Sequence, residues 1–245
     1  MHAFATPDIR SEATAATELD EHIVEVISDS GEGAQRCGQS LGAIAARMGN
    51  GIWTTEIIPA EIQPPARSVA GASGIRIRMG SGPVSNGGDE TDLVVAFNEQ
   101  VLLGRVAAGE LKPGATILLE NLWREHRDPK IAESYANAVR TLKEAGFRLY
   151  ELPLDKACAK LVADPRKGKN MFVLGILCEI YSLDAKVAHD QVALTFGKKD
   201  PKVVKVNQGL VDAGRTWAAA SIAEIGEIPG SVDRLPETAK CPRYR

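Results

Sequence analysis

The run Ser30-Gly31-Glu32-Gly33-Ala34 holds the residues whose types and spacing best suit chemistry. Two glycines one residue apart let the backbone turn sharply. A turn of this kind, entering a helix, leaves N–H groups exposed at the positive end of the helix dipole, the usual cradle for a phosphate or pyrophosphate. The dinucleotide fingerprint asks for G-x-G-x-x-G, and here the third glycine position is Arg36, whose side chain is expected to obstruct close helix–strand packing. Glu56, at the end of the next extended run, stands where an acid would take a ribose hydroxyl. The same residues also suit a tight turn that merely starts a helix, and the sequence leaves both readings standing.

Other reactive groups are dispersed. The four cysteines, Cys37, Cys158, Cys178 and Cys241, form no CxxC and no Cys/His pair at metal-ligand spacing, so each reads as a small buried hydrophobe and a cluster or zinc site within the chain is not expected. His2, His22, His126 and His189 lie in polar surroundings without a paired Ser, Cys or carboxylate pattern, and none reads as catalytic. Lys167, Lys169, Lys198 and Lys199 read as a solvated basic cluster around two loops.

The turn has to be positioned by the elements around it. His22–Ser28 alternates and is β-branched, as a strand should be, and the run after the glycine turn is helix-compatible until Gly49-Asn50-Gly51. Further strands are expected at Ile52–Ile58, Gly74–Met79, Leu93–Phe97, Gly114–Leu119 and Phe147–Leu152. In GIRIRM, residues 74–79, the alternation of aliphatic and Arg predicts one wet face. Helical periodicity between residues 97 and 114 and over Ile131–Ala145 gives a β-α-β-α alternation, and Lys156–Ala163, Asn170–Leu183, Lys186–Phe196 and Pro201–Ile225 are helical. The fold class is α/β: a Rossmann-like, mainly parallel sheet with helices on both faces and a helical C-terminal portion. Val24–Ile27, Leu93–Phe97 and Thr116–Leu119 are its expected central buried strands. The organisation is a mobile tail over 1–20, one domain over 21–225 and a Pro-containing extension over 226–245.

At 245 residues with 44% apolar and 25% charged side chains, the chain has globular composition and can bury a large core. A formal net charge of −3 argues against nucleic-acid binding. No stretch reaches the length of a membrane helix and the N-terminus lacks a signal-peptide pattern, which points to a cytoplasmic protein with no membrane partner.

Taken in order, several segments resemble the gamma subunit of the 2-oxoacid:ferredoxin oxidoreductases, with the 2-oxoglutarate type the nearest. The glycine turn with Gln35 and Gly38 resembles that family's first loop. The segment IIPAEIQPPAR, residues 57–67, fills the place of its Pro- and Arg-containing crossover, and Thr91–Asn98 that of its Asp-leading buried strand. Lys169-Asn170-Met171-Phe172-Val173-Leu174-Gly175 is similar to its late Lys-Asn-Met-x-x-Leu-Gly helix. The crossover departs from the family pattern, with Arg67-Ser68-Val69 where Arg-Gly-Gly is common and Gln63-Pro64-Pro65 ahead of it.

The resemblance implies a subunit, inactive alone, of a complex that oxidatively decarboxylates a 2-oxoacid with coenzyme A and passes electrons to ferredoxin. Thiamine diphosphate, Mg and 4Fe-4S clusters belong, on this reading, to alpha and beta partners. Ser30, Gly31, Glu32, Gly33 and Ala34 then become candidate coenzyme A phosphate contacts. Arg67 becomes a candidate contact for a phosphate or carboxylate, since a guanidinium binds such anions bidentately; a solvated or subunit-pairing charge is the other reading. Asn98 and Asn170 read as helix caps or loop bridges rather than ligand contacts. Apolar surface that a partner covers is expected at the crossover Pro59–Val69 and around Met171. An NAD(P)-binding dehydrogenase and a purely structural subunit are the competing functions.

Overall fold

A computed structural model describes residues 19–61 and 64–225; residues 1–18 of the expected tail over 1–20, and the extension over 226–245, lie outside them. Strands β1 (Glu21–Asp29), β2 (Gly51–Ile57), β3 (Ala72–Gly80), β4 (Thr91–Ala96), β5 (Leu111–Glu120) and β6 (Arg148–Leu152) form one sheet in the order β2-β3-β1-β4-β5-β6. β1, β4, β5 and β6 pair in parallel. β3 runs the other way, pairing antiparallel with β1 on one side and β2 on the other, so it alone opposes the common strand direction. The three strands expected at the centre are there: Val24, Val26, Ile27, Leu93, Val95, Ala96, Ile117 and Leu119 are all at most 1% exposed.

Helices cover both faces. α1 (Ala34–Arg47) and α5 (Lys169–Ile180) pack on one, in a core with Val24, Ile75, Ile77, Leu93 and Phe97. α2 (Glu99–Ala107) and α3 (Pro129–Glu144) pack on the other, with Ile27, Val94, Ala96, Ile117 and Leu119. A short α4 (Leu154–Cys158) replaces the longer helix expected over Lys156–Ala163. α6 (Ala185–Phe196) and α7 (Pro201–Ile225) form an outer layer over α1 and α5.

This second layer explains α5, whose apolar residues follow no single face because nearly every one is buried, as expected for a helix enclosed all round. Met171 is 0% exposed, so the late helix is core and not the partner surface expected there. The crossover Pro59–Val69 does expose an apolar side chain, Val69 at 62%, and Ile58 just before it is 71% exposed. α5 meets α7 backbone to backbone. A Cβ on Gly175 would lie 2.1 Å from the Val211 carbonyl oxygen, and one on Gly214 2.0 Å from that of Phe172, so no larger residue fits at either crossing point.

α1 sits equally close to the sheet, and the reason differs from the fingerprint. Arg36 does not obstruct the packing, because it points outward over the Phe196 ring. Gly38 supplies the close approach instead: a Cβ there would lie 2.1 Å from Ile75 Cγ2. The helix ends at Arg47, with Gly49 at φ 99° just beyond it, matching the expected glycine stop.

The face of β3 expected to be wet is wet at Arg78, whose side chain is 21% exposed, and sealed at Arg76. Arg76 is buried, and its cross-strand neighbour is Glu25. Arg76 Nε donates to Glu25 Oε1 at 2.8 Å, and its other nitrogens reach Asp89 O, Thr91 Oγ1 and Glu110. Arg105 in the last turn of α2 closes the group onto Glu25 from above, Nη2 to Oε1 at 2.7 Å. Alternation gave the correct side for these arginines. It carried no information on the segment 81–90 and α2, which cover Arg76.

Candidate functional site at the C-terminal edge of the sheet

From β1 the chain crosses by α1 toward β2, and from β4 it crosses by α2 toward β5 on the opposite face. The connections therefore diverge between β1 and β4, and ligands of open α/β sheets collect outside the carboxyl ends of such a strand pair. Ser30–Ala34 follows β1 at this edge, and Asn98 and Glu99 follow β4.

The turn is built largely as expected. Gly31 (φ 90°) and Gly33 (φ 86°) occupy backbone conformations that disfavour any side chain. Ser30 donates its N–H to Gly71 O at 3.2 Å, tying the turn to the end of the crossover, and Glu32 N–H leans back on Asp29 O at 3.4 Å. Gly33 is the N-cap of α1, and no side chain caps the helix. The N–H groups of Gly31, Gly33 and Ala34 have no acceptor among the described residues. A Cβ on Gly31 would meet nothing within 4 Å, so this side of the turn is open. The far side is closed, because Asn170 lies against Gly33.

Arg67 is brought to the same edge but turns inward. Its backbone, at φ 53°, places its N–H 2.8 Å from Asp29 Oδ2. Its guanidinium pairs through Nη2 with Glu99 and lies 4.2 Å from the centre of the Trp123 ring, an arrangement that adds cation–π attraction to the ion pair. Glu99 opens α2, where its charge also favours the helix dipole, and Asn98 caps that helix by accepting the N–H of Gln100 and Val101 at 3.0 and 3.1 Å. Four buried atoms of this group, Asp29 Oδ1, Arg67 Nη1, Asn98 Nδ2 and Glu99 Oε2, have no hydrogen-bond partner.

A third group flanks the turn and was not legible in the sequence. Lys169 is buried, its side chain 2% exposed, with Nζ 3.2 Å from Asp155 Oδ1 and 3.4 Å from Glu120 Oε2. It belongs to no solvated cluster. Burial pushes the Glu120 carboxyl above the ordinary carboxylate range, against the pull of the Lys169 ammonium and the N–H groups of Leu122 and Asp155. Burial likewise pushes Glu32 up, again opposed by Lys169. Asn170 does not cap α5: its Oδ1 accepts only the adjacent Met171 N–H, at 2.9 Å.

Glu56 stands apart. It is exposed, accepts a hydrogen bond from Gln39 at 2.9 Å, and sits on a strand separated from β1 by β3, about 10 Å from it at the usual strand spacing. Cys37, Cys158 and Cys178 are buried on three different helices, and burial pushes the thiols of Cys158 and Cys178 up to about 12, so the thiolate that a cluster needs is disfavoured. Among the described residues no helix is long and apolar enough to cross a membrane.

This architecture occurs elsewhere. The chain is 24% identical to the 2-oxoglutarate oxidoreductase subunit KorA of Mycobacterium tuberculosis, over 93% of its own length and 35% of KorA. It superposes with a TM-score of 0.69 and 24% identity on the 2-oxoglutarate:ferredoxin oxidoreductase from Magnetococcus marinus, solved with 2-oxoglutarate, coenzyme A and succinyl-CoA bound, covering 90% of this chain and 34% of that one. It superposes at 0.58 and 14% identity on the gamma subunit of a keto/oxoacid ferredoxin oxidoreductase from Geobacter sulfurreducens, covering 82% of this chain and 98% of that one. The chain thus spans about a third of the length of the first two and nearly all of the separate gamma subunit. At these identities the superpositions carry the fold. The pyruvate ferredoxin/flavodoxin oxidoreductase family matches residues 25–217, well over half of the sequence, and the chain belongs to that family.

Proposed function

We propose that the chain is the gamma-type domain of a coenzyme A-dependent 2-oxoacid:ferredoxin oxidoreductase, of the 2-oxoglutarate type, and that it holds coenzyme A at the C-terminal edge of its sheet. The observation that carries this reading is the open, uncapped glycine turn at the point where the strand connections diverge, in a member of this family. A phosphate of coenzyme A accepts the N–H groups of Gly31, Gly33 and Ala34. Arg67, its charge paired with Glu99, holds the crossover against the turn through Asp29 and Glu99. Glu32 limits how much negative charge the site tolerates.

The described residues do not suit the redox groups of such a reaction. They contain no cluster of His, Cys, Asp and Glu able to hold a metal ion, and burial disfavours the thiolate form of Cys158 and Cys178. On this reading thiamine diphosphate with Mg, and the 4Fe-4S clusters, belong to alpha and beta partners, with ferredoxin receiving the electrons. The reaction of the whole assembly converts a 2-oxoacid, coenzyme A and oxidised ferredoxin into acyl-CoA, carbon dioxide and reduced ferredoxin. The exposed Ile58 and Val69 suit a partner contact. The dinucleotide reading loses its ribose acid with Glu56, and no other feature of the edge favours it.

The test is reduction of a viologen dye by 2-oxoglutarate and coenzyme A, by the chain alone and by the chain mixed with its alpha and beta partners. Turnover in the mixture only is expected, together with coenzyme A binding by the mixture. Turnover by the chain alone overturns the subunit reading.

A further inference from the structure

The open side of the glycine turn faces the ligand; its closed side is set by the start of α5. Lys169, the first residue of that helix, is fixed by its pairs with Glu120 at the end of β5 and Asp155 in α4. Glu120 is itself held, Oε1 accepting Leu122 N–H at 3.0 Å and Oε2 accepting Asp155 N–H at 2.9 Å. With Lys169 fixed, the next side chain is delivered onto the turn: Asn170 Nδ2 lies 2.6 Å, and its Cγ 3.1 Å, from where a Cβ on Gly33 would stand. The carboxamide is oriented by its Oδ1, which accepts Met171 N–H. α1 and α5 both begin without a side-chain cap, and Asn170 lies between their two N-termini.

We propose that Asn170, anchored by Lys169, is a positioning residue for the anion on the turn. Its carboxamide fills the space where a Gly33 side chain would stand, packs against that residue at φ 86°, and so fixes where the Gly33 and Ala34 N–H groups point. Asn170 neither needs to touch the ligand nor to cap a helix to do this. The inference rests on coenzyme A binding at the turn as proposed above.

The experiment is calorimetric titration of the assembled complex with coenzyme A, for the unaltered protein, Asn170→Ala and Asn170→Asp, with the KM for the 2-oxoacid and the melting temperature measured alongside. Asn170→Ala is expected to weaken coenzyme A binding about tenfold, the size of a displaced set of hydrogen-bond donors, with 2-oxoacid KM and melting temperature unchanged. Asn170→Asp is expected to weaken it further, because the isosteric side chain sets a negative charge directly behind the Gly33 turn that receives the anion; a role in packing alone gives the opposite order. Unchanged affinity in Asn170→Ala overturns this inference and leaves the functional reading intact. An unaltered complex that binds no coenzyme A removes both.

Discussion

α2 has a buried Arg–Glu group at each end, and the two differ in how completely they are bonded. Near its C-terminus Arg76 uses all three guanidinium nitrogens, Glu25 both oxygens, and Arg105 closes the set. No buried side-chain atom of Arg76, Glu25, Arg105 or Glu110 lacks a partner. At the N-terminus, about 9 Å away by helical rise, Asp29, Arg67, Asn98 and Glu99 leave four such atoms unbonded. Buried polar groups are ordinarily satisfied. A complete group holds strands together and has nothing left to offer; an incomplete one, beside an open turn, has hydrogen-bonding capacity in reserve. On the proposed coenzyme A reading, the same residue types thus divide into a structural end and an end beside the ligand.

The sharpest way to break this contrast is Arg76→Met. It leaves Glu25 buried with half its partners, and breaking a buried pair of this kind costs about 3–5 kcal/mol. Urea unfolding is expected to show that loss while coenzyme A affinity, measured in complex that still assembles, stays put. A change in affinity there would erase the distinction between the two ends.

Arg67→Met is expected to cost less, about 1.5–3 kcal/mol, the worth of one hydrogen bond to a charged group, because Glu99 keeps Gln100 Nε2 at 3.1 Å and the helix dipole. Unlike Arg76→Met it should also weaken coenzyme A binding in the same titration. A variant that loses stability but not affinity would make both ends structural.

The smallest expected effect concerns protons at the opposite edge of the sheet. His22 Nδ1 lies 2.7 Å from the Tyr181 hydroxyl, and burial lowers the His22 pKa, Asp92 opposing and Lys112 and Arg148 assisting. The unfolded chain therefore takes up this proton first, near pH 6.5. Between that value and the lower folded one, acidification favours the unfolded state, so the contribution is fully present above about pH 6.5 and drains as pH falls. Melting temperature should fall more steeply from pH 7 to 5 in the unaltered chain than in His22→Phe, whose difference removes the carboxylate titrations common to both. Coenzyme A affinity should not follow this difference.

Strand positions, the glycine stop of α1 and the turn after β1 were legible because each depends on residues adjacent in sequence. His22–Ser28 has the alternation, Gly49 the positive φ, and Ser30–Ala34 the spacing. The features missed depend on partners distant in sequence. Lys169 looks like one more surface lysine in Lys-Gly-Lys-Asn until β5 and α4 place Glu120 and Asp155 around it. Gly38 gives no sign that it replaces the absent third glycine until Ile75 arrives against it. The insertion of β3 between β1 and β2 is likewise invisible locally, and it is what moves Glu56 out of reach of the turn. Arg67 was legible as an anion-matched side chain, but nothing near it announces that Glu99 is its anion.

The enclosure of α5 also bears on how the chain is made. The sheet is complete once β6 ends at Leu152, yet the face lined by Val24, Ile77, Leu93 and Phe97 is fully sealed only when α5 joins α1 on it, and the outer side of α5 is covered by α7, which runs to Ile225. At about 5–20 residues per second of synthesis, the intervening stretch keeps that face partly bare for several seconds. The nascent protein passes through a stage with a finished sheet and one partly uncovered greasy side, when it is most open to chaperones and to misassociation, and the glycine interlock of α5 with α7 is the step that ends it.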